Sequence, residues 1–222
     1  MARLPRAFVA AIAASVATAA QSAERCPPSN FTTVRNFDLN SFVDGRWYVQ
    51  QQMEVTYLPR AWFRNVFAEY TLRRLPTWPW GYRIGVFNYA EEVEPPHAVR
   101  GGNLCAGKVM ASRGKLRVAP CFLPKIFAGP YWVLAYDEEE GYALVSGGPP
   151  TEKAEGGCRT GTGVNGSGLW IFTRQQTRDQ AIVDKVRGIA RDLGFDLSVL
   201  LDVEQTGTFT NGDPGAALVE MQ

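Results

Sequence analysis

The sequence predicts an all-β fold: an eight-stranded antiparallel up-and-down barrel with one amphipathic α-helix packed outside it near the C-terminus. Three observations predict it. Eight segments rich in aromatic and β-branched residues follow one another from Trp47 to Thr173, bounded by Gly, Pro, Asp or Asn. Only after the last of them does the apolar period lengthen from two residues to that of a helix. A row of such strands also has two raw edges, and closing the sheet on itself removes them. The composition agrees: 22 Gly and 14 Pro mark many turns, and six Trp, eight Tyr and twelve Phe suit strands better than a helical bundle.

Residues 1–22 read as an export leader and are set apart from the fold. Arg3 and Arg6 precede an apolar run from Ala7 to Ala17, too short to span a bilayer, and small residues follow. Residues 23–206 form the predicted barrel domain, and residues 207–222 a flexible tail. The strands are Trp47–Met53, Ala61–Leu72, Tyr82–Tyr89, Val99–Met110, Lys115–Cys121, Tyr131–Tyr136, Tyr142–Ser146 and Leu169–Thr173. Each alternates or carries a continuous apolar run, and each ends at turn residues. Pro149 to Gly168 is Gly-rich and reads as a mobile loop. The helix is predicted over Thr177–Leu193, with Ile182, Val183, Val186, Ile189, Ala190 and Leu193 on one face. Thr177-Arg178-Asp179-Gln180 has the form of a capping box, and Gly194 can end the helix.

Charge and residue counts exclude several function classes. Lys+Arg total 23 and Asp+Glu 22, a formal net charge of +1, with no concentrated basic field to draw nucleic acid. Removing the leader shifts this to about −1. No later stretch is long and apolar enough for a transmembrane helix. His97 is the one histidine; it lies in a loop beside Pro95-Pro96, is expected to be exposed, and leaves no His-rich metal site and few Ser-His or Cys-His pairs. Glu91, Glu92 and Glu94 lack the ligand register of a calcium loop. Gly161-Thr162-Gly163 lacks the strand-to-helix setting of a phosphate loop. Glu138-Glu139-Glu140 reads as a solvated hairpin turn. No metal and no cofactor are expected.

Cys26, Cys105, Cys121 and Cys158 all follow the leader, and an even count in an exported chain predicts two disulfides. Four cysteines allow three pairings. For one pair there is a geometric argument: a hairpin centred on Arg113 sets Cys105 directly opposite Cys121, where Cβ atoms stand about 5 Å apart. Asn30-Phe31-Thr32 and Asn165-Gly166-Ser167 make Asn30 and Asn165 glycosylation candidates, meaningful only in a eukaryotic secretory path.

The segment Asn36-Phe37-Asp38-Leu39-Asn40-Ser41-Phe42-Val43-Asp44-Gly45-Arg46-Trp47-Tyr48 resembles the start of a lipocalin, a short helical turn leading into Gly-x-Trp on the first strand. Ala135-Tyr136-Asp137 resembles the family's second signature, and Leu169-Trp170-Ile171-Phe172-Thr173-Arg174 its third. The resemblance spans about Cys26 to Asp202, is greatest toward apolipoprotein D and the bacterial lipocalins, and is weakest over Leu72 to Gly102. It implies structural roles for Gly45, Trp47, Asp137 and Arg174. Trp47 plugs the closed end, with Arg174 across its indole face and capping carbonyls of the opening helical turn. Asp137 is a turn residue. The apolipoprotein D pattern also implies Cys26 paired with Cys158.

That resemblance implies a carrier of a small hydrophobic molecule such as a fatty acid, sterol, retinoid, bilin or carotenoid. The ligand-binding residues it points to, with strand alternation, are Trp132, Trp170, Val49, Gln51, Leu134, Leu144, Trp62 and Phe63, and the mouth is edged by Tyr57, Leu58 and Pro59 as well. An enzyme is the alternative, through a resemblance to the lipocalin domain of violaxanthin de-epoxidase in Val34-Arg35-Asn36-Phe37 and Gly45-Arg46-Trp47-Tyr48. That family adds Cys-rich and Glu-rich regions not seen here, and acid–base work would fall to Asp137 or Tyr136. No catalytic residue is assigned. A structural subunit is the third reading, with the Trp78/Trp80 run as a candidate protein-partner surface. The place is extracytoplasmic, secreted or lumenal.

Overall fold

A computed structural model describes residues 25–109 and 114–206; the leader and the tail lie outside the described residues. The wall runs β1 (Gly45–Met53), β2 (Arg64–Leu72), β3 (Ile84–Glu91), β4 (Val99–Lys108), β5 (Lys115–Ala119), β6 (Gly129–Asp137), β7 (Tyr142–Ser146) and, after a small hairpin, β10 (Leu169–Thr173). Each pairs antiparallel with the next, and β10 pairs back onto β1, closing the predicted eight-stranded barrel. Two predicted strands match to the residue, and others shift at their ends. Thus β2 begins only at Arg64, because Arg60–Trp62 form a 3-10 turn. The segment expected to be a loop, 149–168, contains the hairpin β8 (Glu152–Ala154) and β9 (Gly157–Arg159).

Register shifts decide which face each side chain takes. In β1, Val49 pairs with Phe172 but Gln51 with Ile171, so Gln50 is an extra residue and the alternation flips there. A second shift lies in β2 between Arg64 and Phe67, and a third in β6 between Val133 and Ala135. The inner face carries one cluster, with Phe42, Trp47, Val49, Tyr70, Ile84, Leu116, Val133, Ala143, Val145 and Phe172 among its buried members. A second cluster joins Met53, Leu134, Leu144, Leu169 and Ile171 to Val186 and Ala190 of the helix. The barrel wall is therefore apolar on both faces where the helix covers it.

Helix α2 spans Gln180–Asp192. It starts later than predicted: Asp179, not Thr177, is the N-cap, accepting from the amides of Ala181 and Ile182. Val183, Val186 and Ala190 are its buried stripe, with Ile182, Ile189 and Leu193 partly buried beside it. After it, β11 (Leu200–Asp202), absent from the sequence reading, pairs with Gln51–Met53. β1 pairs with β2 only over Gly45–Tyr48, so β11 fills the seam where those strands part. Arg178 donates to the carbonyls of Gln50 and Val203, and Gln205 to those of Val49 and Val66, stitching this seam.

Both disulfides form, Cys26–Cys158 and Cys105–Cys121. Cys105 faces Ala119, not Cys121, so the hairpin is centred one residue earlier than predicted. Cys121 lies just past β5, where the chain turns back, and reaches Cys105 on the outer face with Cα atoms 4.8 Å apart. The Glu138–Glu140 turn is not merely solvated: Glu138 pairs with Arg174 and Glu140 with Lys185 of α2. His97, expected to be exposed, is half-buried, its Nδ1 3.0 Å from the Glu92 carbonyl.

Candidate functional site: the barrel lumen

The floor is built by the N-terminal turn. Helix α1 (Leu39–Phe42) is capped by Asp38 and ends at Val43, and Gly45, at φ +85°, takes the left-handed conformation that starts β1. Trp47 is fully buried, and its indole Nε1 donates to the Phe42 carbonyl at 2.8 Å. The Arg174 guanidinium lies 3.8 Å from the centre of that indole. It also donates to the carbonyls of Ser41 and Asp44, at 2.7 and 2.8 Å, and pairs with Glu138. Gly45, Trp47 and Arg174 together close one end of the barrel. Asp137 accepts the amide of Glu140 at 3.0 Å in the turn between β6 and β7.

Above the floor the walls are apolar, and some of their side chains are only partly buried. Leu104, Val118, Tyr131 and Trp170 belong to the inner cluster, yet each keeps part of its surface open. The indole of Trp170 stacks on Tyr131. The Tyr131 hydroxyl meets that of Tyr70, and burial pushes both phenols above their ordinary range. Trp170 can lie so close to the chain because residue 168 is glycine: a Cβ there would stand 2.2 Å from the indole.

One polar side chain in this wall is unsatisfied. Gln52 faces Trp170 across the β1–β10 ladder and has 0% exposure, and neither its amide nitrogen nor its amide oxygen has a hydrogen-bond partner among the described residues. An amide buried without partners costs about 1–3 kcal/mol. Its neighbours in sequence are engaged: Gln50 donates to Thr173 Oγ1 at 2.8 Å, and Gln51 to Asp202 at 2.7 Å.

The structure divides the sequence-predicted ligand residues. Trp170 lines the lumen, Trp62 packs at its rim under the Arg100 guanidinium, and Phe63 is buried below the rim. Val49 lies inward but in the packed core, opposite Phe172. Trp132, Leu134 and Leu144 do not face inward; they belong to the cluster beneath α2. Gln51 also points outward, accepting from Arg187 of the helix. The Gln50 bulge explains Gln51, and the two-sided apolar wall explains the other three. Trp132 lines an outer groove of about 380 Å³ with Lys115 and Arg117, its ring 4.1 Å from the Lys115 ammonium. The lumen residues missed were Gln52, Tyr70, Leu104, Val118 and Tyr131. Three consecutive glutamines in an otherwise apolar strand were the available signal for the first.

At the mouth, Tyr57, Leu58 and Pro59 lie in the β1–β2 loop, which crosses to the β7–β10 connection: the Thr56 amide donates to the Thr162 carbonyl at 3.0 Å. Among the described residues no group of three or more His, Cys, Asp or Glu could hold a metal ion. Asn30 and Asn165 are both exposed, and the Asn30 amide donates to the Asp192 carbonyl.

No family model matches the chain. It is 30% identical over 184 residues to the outer membrane lipoprotein Blc of Vibrio cholerae serotype O1, covering 80% of this chain and 88% of that protein. Among solved structures it resembles the major cockroach allergen Per a 4, with a TM-score of 0.54 at 14% identity, covering 82% of this chain and 97% of the other. It also resembles lobster apocrustacyanin A1, with a TM-score of 0.51 at 15% identity, covering 82% and 84%. These two likenesses concern the fold.

Proposed function

The chain belongs to the lipocalin family, and from that premise we propose that it carries one small hydrophobic molecule in the barrel lumen and catalyses no reaction. The observation that carries this reading is the partly open apolar wall of Leu104, Val118, Tyr131 and Trp170 above a floor sealed by Trp47 and Arg174. A ligand there gains by burying apolar surface, at about 25 cal/mol per Å². Gln52 would orient it: a hydroxyl, carboxyl or amide on an apolar body would supply the partner its buried amide lacks among the described residues. Asp137 and Tyr136, the residues an enzyme would recruit, are engaged at the closed end, in the turn and against Ser41 and Glu138.

The reading includes export. Residues 1–22 would be removed, and two disulfides fit an oxidising compartment. The test is a tryptophan-fluorescence titration with fatty acids, sterols, retinoids and carotenoids, each beside a product assay. Saturable quenching at one site, lost in Trp170→Ala and weakened in Gln52→Met, with ligand recovered unchanged, is expected. Absence of binding across the panel, or turnover of any ligand, would overturn it.

A further inference from the structure

Charge is even over the chain but not over its surface. Residues 72–83 and 115–128 hold six of the 23 Lys and Arg and none of the 22 Asp and Glu. The expectation of no concentrated basic field holds for the total and fails locally, because the fold joins these two segments. Trp80 Nε1 donates to the Phe122 carbonyl at 2.9 Å, Tyr82 Oη to the Leu123 carbonyl at 3.1 Å, and Lys125 Nζ to the Gly81 carbonyl at 2.7 Å. The Cys105–Cys121 disulfide and the buried Tyr82 anchor this platform to the outer wall.

What the platform presents is apolar. Trp78 is 92% exposed, Leu75 80%, and Phe122 and Ile126 77% each. Around them Arg73, Arg74, Arg83, Arg117 and Lys125 are exposed, and among the described residues none of the five forms an ion pair. Elsewhere several cations sit in ion pairs, as Arg64 does with Glu91 and Glu204. Large apolar tips among exposed cations that have no acidic partner among the described residues match a bilayer that bears negative headgroups: the tips enter the interface while the cations stay at headgroup level. A tryptophan at the tip suits that boundary, with its apolar ring and single N–H donor.

We propose that this face docks the protein on an anionic lipid bilayer. The inference is independent of what the lumen holds. The patch lies by the β2–β3 connection, past the end of β2 that pairs with Gly45. The patch also takes in the β5–β6 connection, and the rim of Tyr57 to Phe63, in the β1–β2 connection, lies outside both segments.

The experiment is flotation of the full-length protein with vesicles of phosphatidylcholine, with and without phosphatidylglycerol. Binding is expected only with phosphatidylglycerol and should weaken as salt rises. Trp78 emission should shift to the blue and be quenched by shallowly brominated lipids. Replacing Arg73 and Arg74 by Gln should weaken binding about 30-fold, and Trp78→Ser should remove the quenching. All three side chains are exposed, so the variants should keep the wild-type melting temperature and circular dichroism spectrum. Equal binding to neutral vesicles, no binding to either, or unaltered binding by the variants would overturn the proposal. So would retention by an acidic protein or nucleic acid without vesicle binding.

Discussion

Replacing Gln52 with methionine should make the empty protein more stable and a poorer binder. The amide is fully buried opposite Trp170, and neither polar atom is paired. Methionine has similar length and volume, so it leaves little cavity and removes both unmet groups. The gain is the desolvation penalty no longer incurred, about 1–3 kcal/mol. For a chain of this size that raises the melting temperature by roughly 3–9 °C. Urea unfolding read by tryptophan fluorescence measures it, with an unchanged m-value as the sign that only stability moved. The same variant should lose affinity for ligands with a polar group and keep it for a pure hydrocarbon. A lowered melting temperature would refute the reasoning, for it would mean that Gln52 is bonded in the folded protein. A site that costs stability when empty and recovers it when filled is the expected mark of binding function.

Arg174→Ala should cost about 3–5 kcal/mol in urea unfolding, because it removes the contact over Trp47 and leaves the Ser41, Asp44 and Arg46 carbonyls without their donor, while ligand affinity at the far end of the lumen changes little. Serine pairs at both disulfides should destabilise unequally in the chain-entropy model, about 3 kcal/mol for the 16-residue separation and about 5 for the 132-residue one, as read by thermal unfolding of each variant. The Asp202 carboxyl is held below its usual range by the Gln51 amide and then by Arg178, against the opposing effect of burial. Its contribution is therefore fully present above about pH 4 and lost as pH falls through the depressed value. Asp202→Asn should flatten the acid limb of the stability–pH profile below about pH 4 and leave its shape near neutrality unaltered.

The strands, the helix and the Cys26–Cys158 pairing were legible in the sequence through local chemistry or a motif, whereas Cys105–Cys121 was paired on a register one residue off. The lining of the lumen was legible only in part. Gln50 adds one residue to β1, and nothing in Val49-Gln50-Gln51-Gln52 says which glutamine is the extra one. Along Tyr131–Leu134 and Tyr142–Val145 the wall packs on the lumen on one side and on α2 on the other, so alternation carries no polarity to read. Trp132 and Trp170 were thus given one face and occupy two. β11 is three residues long, too short for a periodic signal, and its place depends on β1 and β2 parting above Tyr48. The basic platform joins segments over 30 residues apart, and its charge is invisible in a total near zero.

The seam strand also sets an order of assembly. β1 is the earliest strand of the barrel, and the edge of its upper half that faces β2 stays open until Leu200–Asp202 arrive. About 150 residues separate the partners, so this pairing belongs to the slow, non-local class of contacts. A chain delivered N-terminus first would hold a nearly closed cylinder with one unzipped edge while α2 is still emerging. That edge, Gln50 to Met53, is the place where a second, equally unfinished copy could pair instead. Folding yield should therefore be set at the last turn of the chain, by how fast α2 and β11 dock, and not by the eight strands that make the barrel.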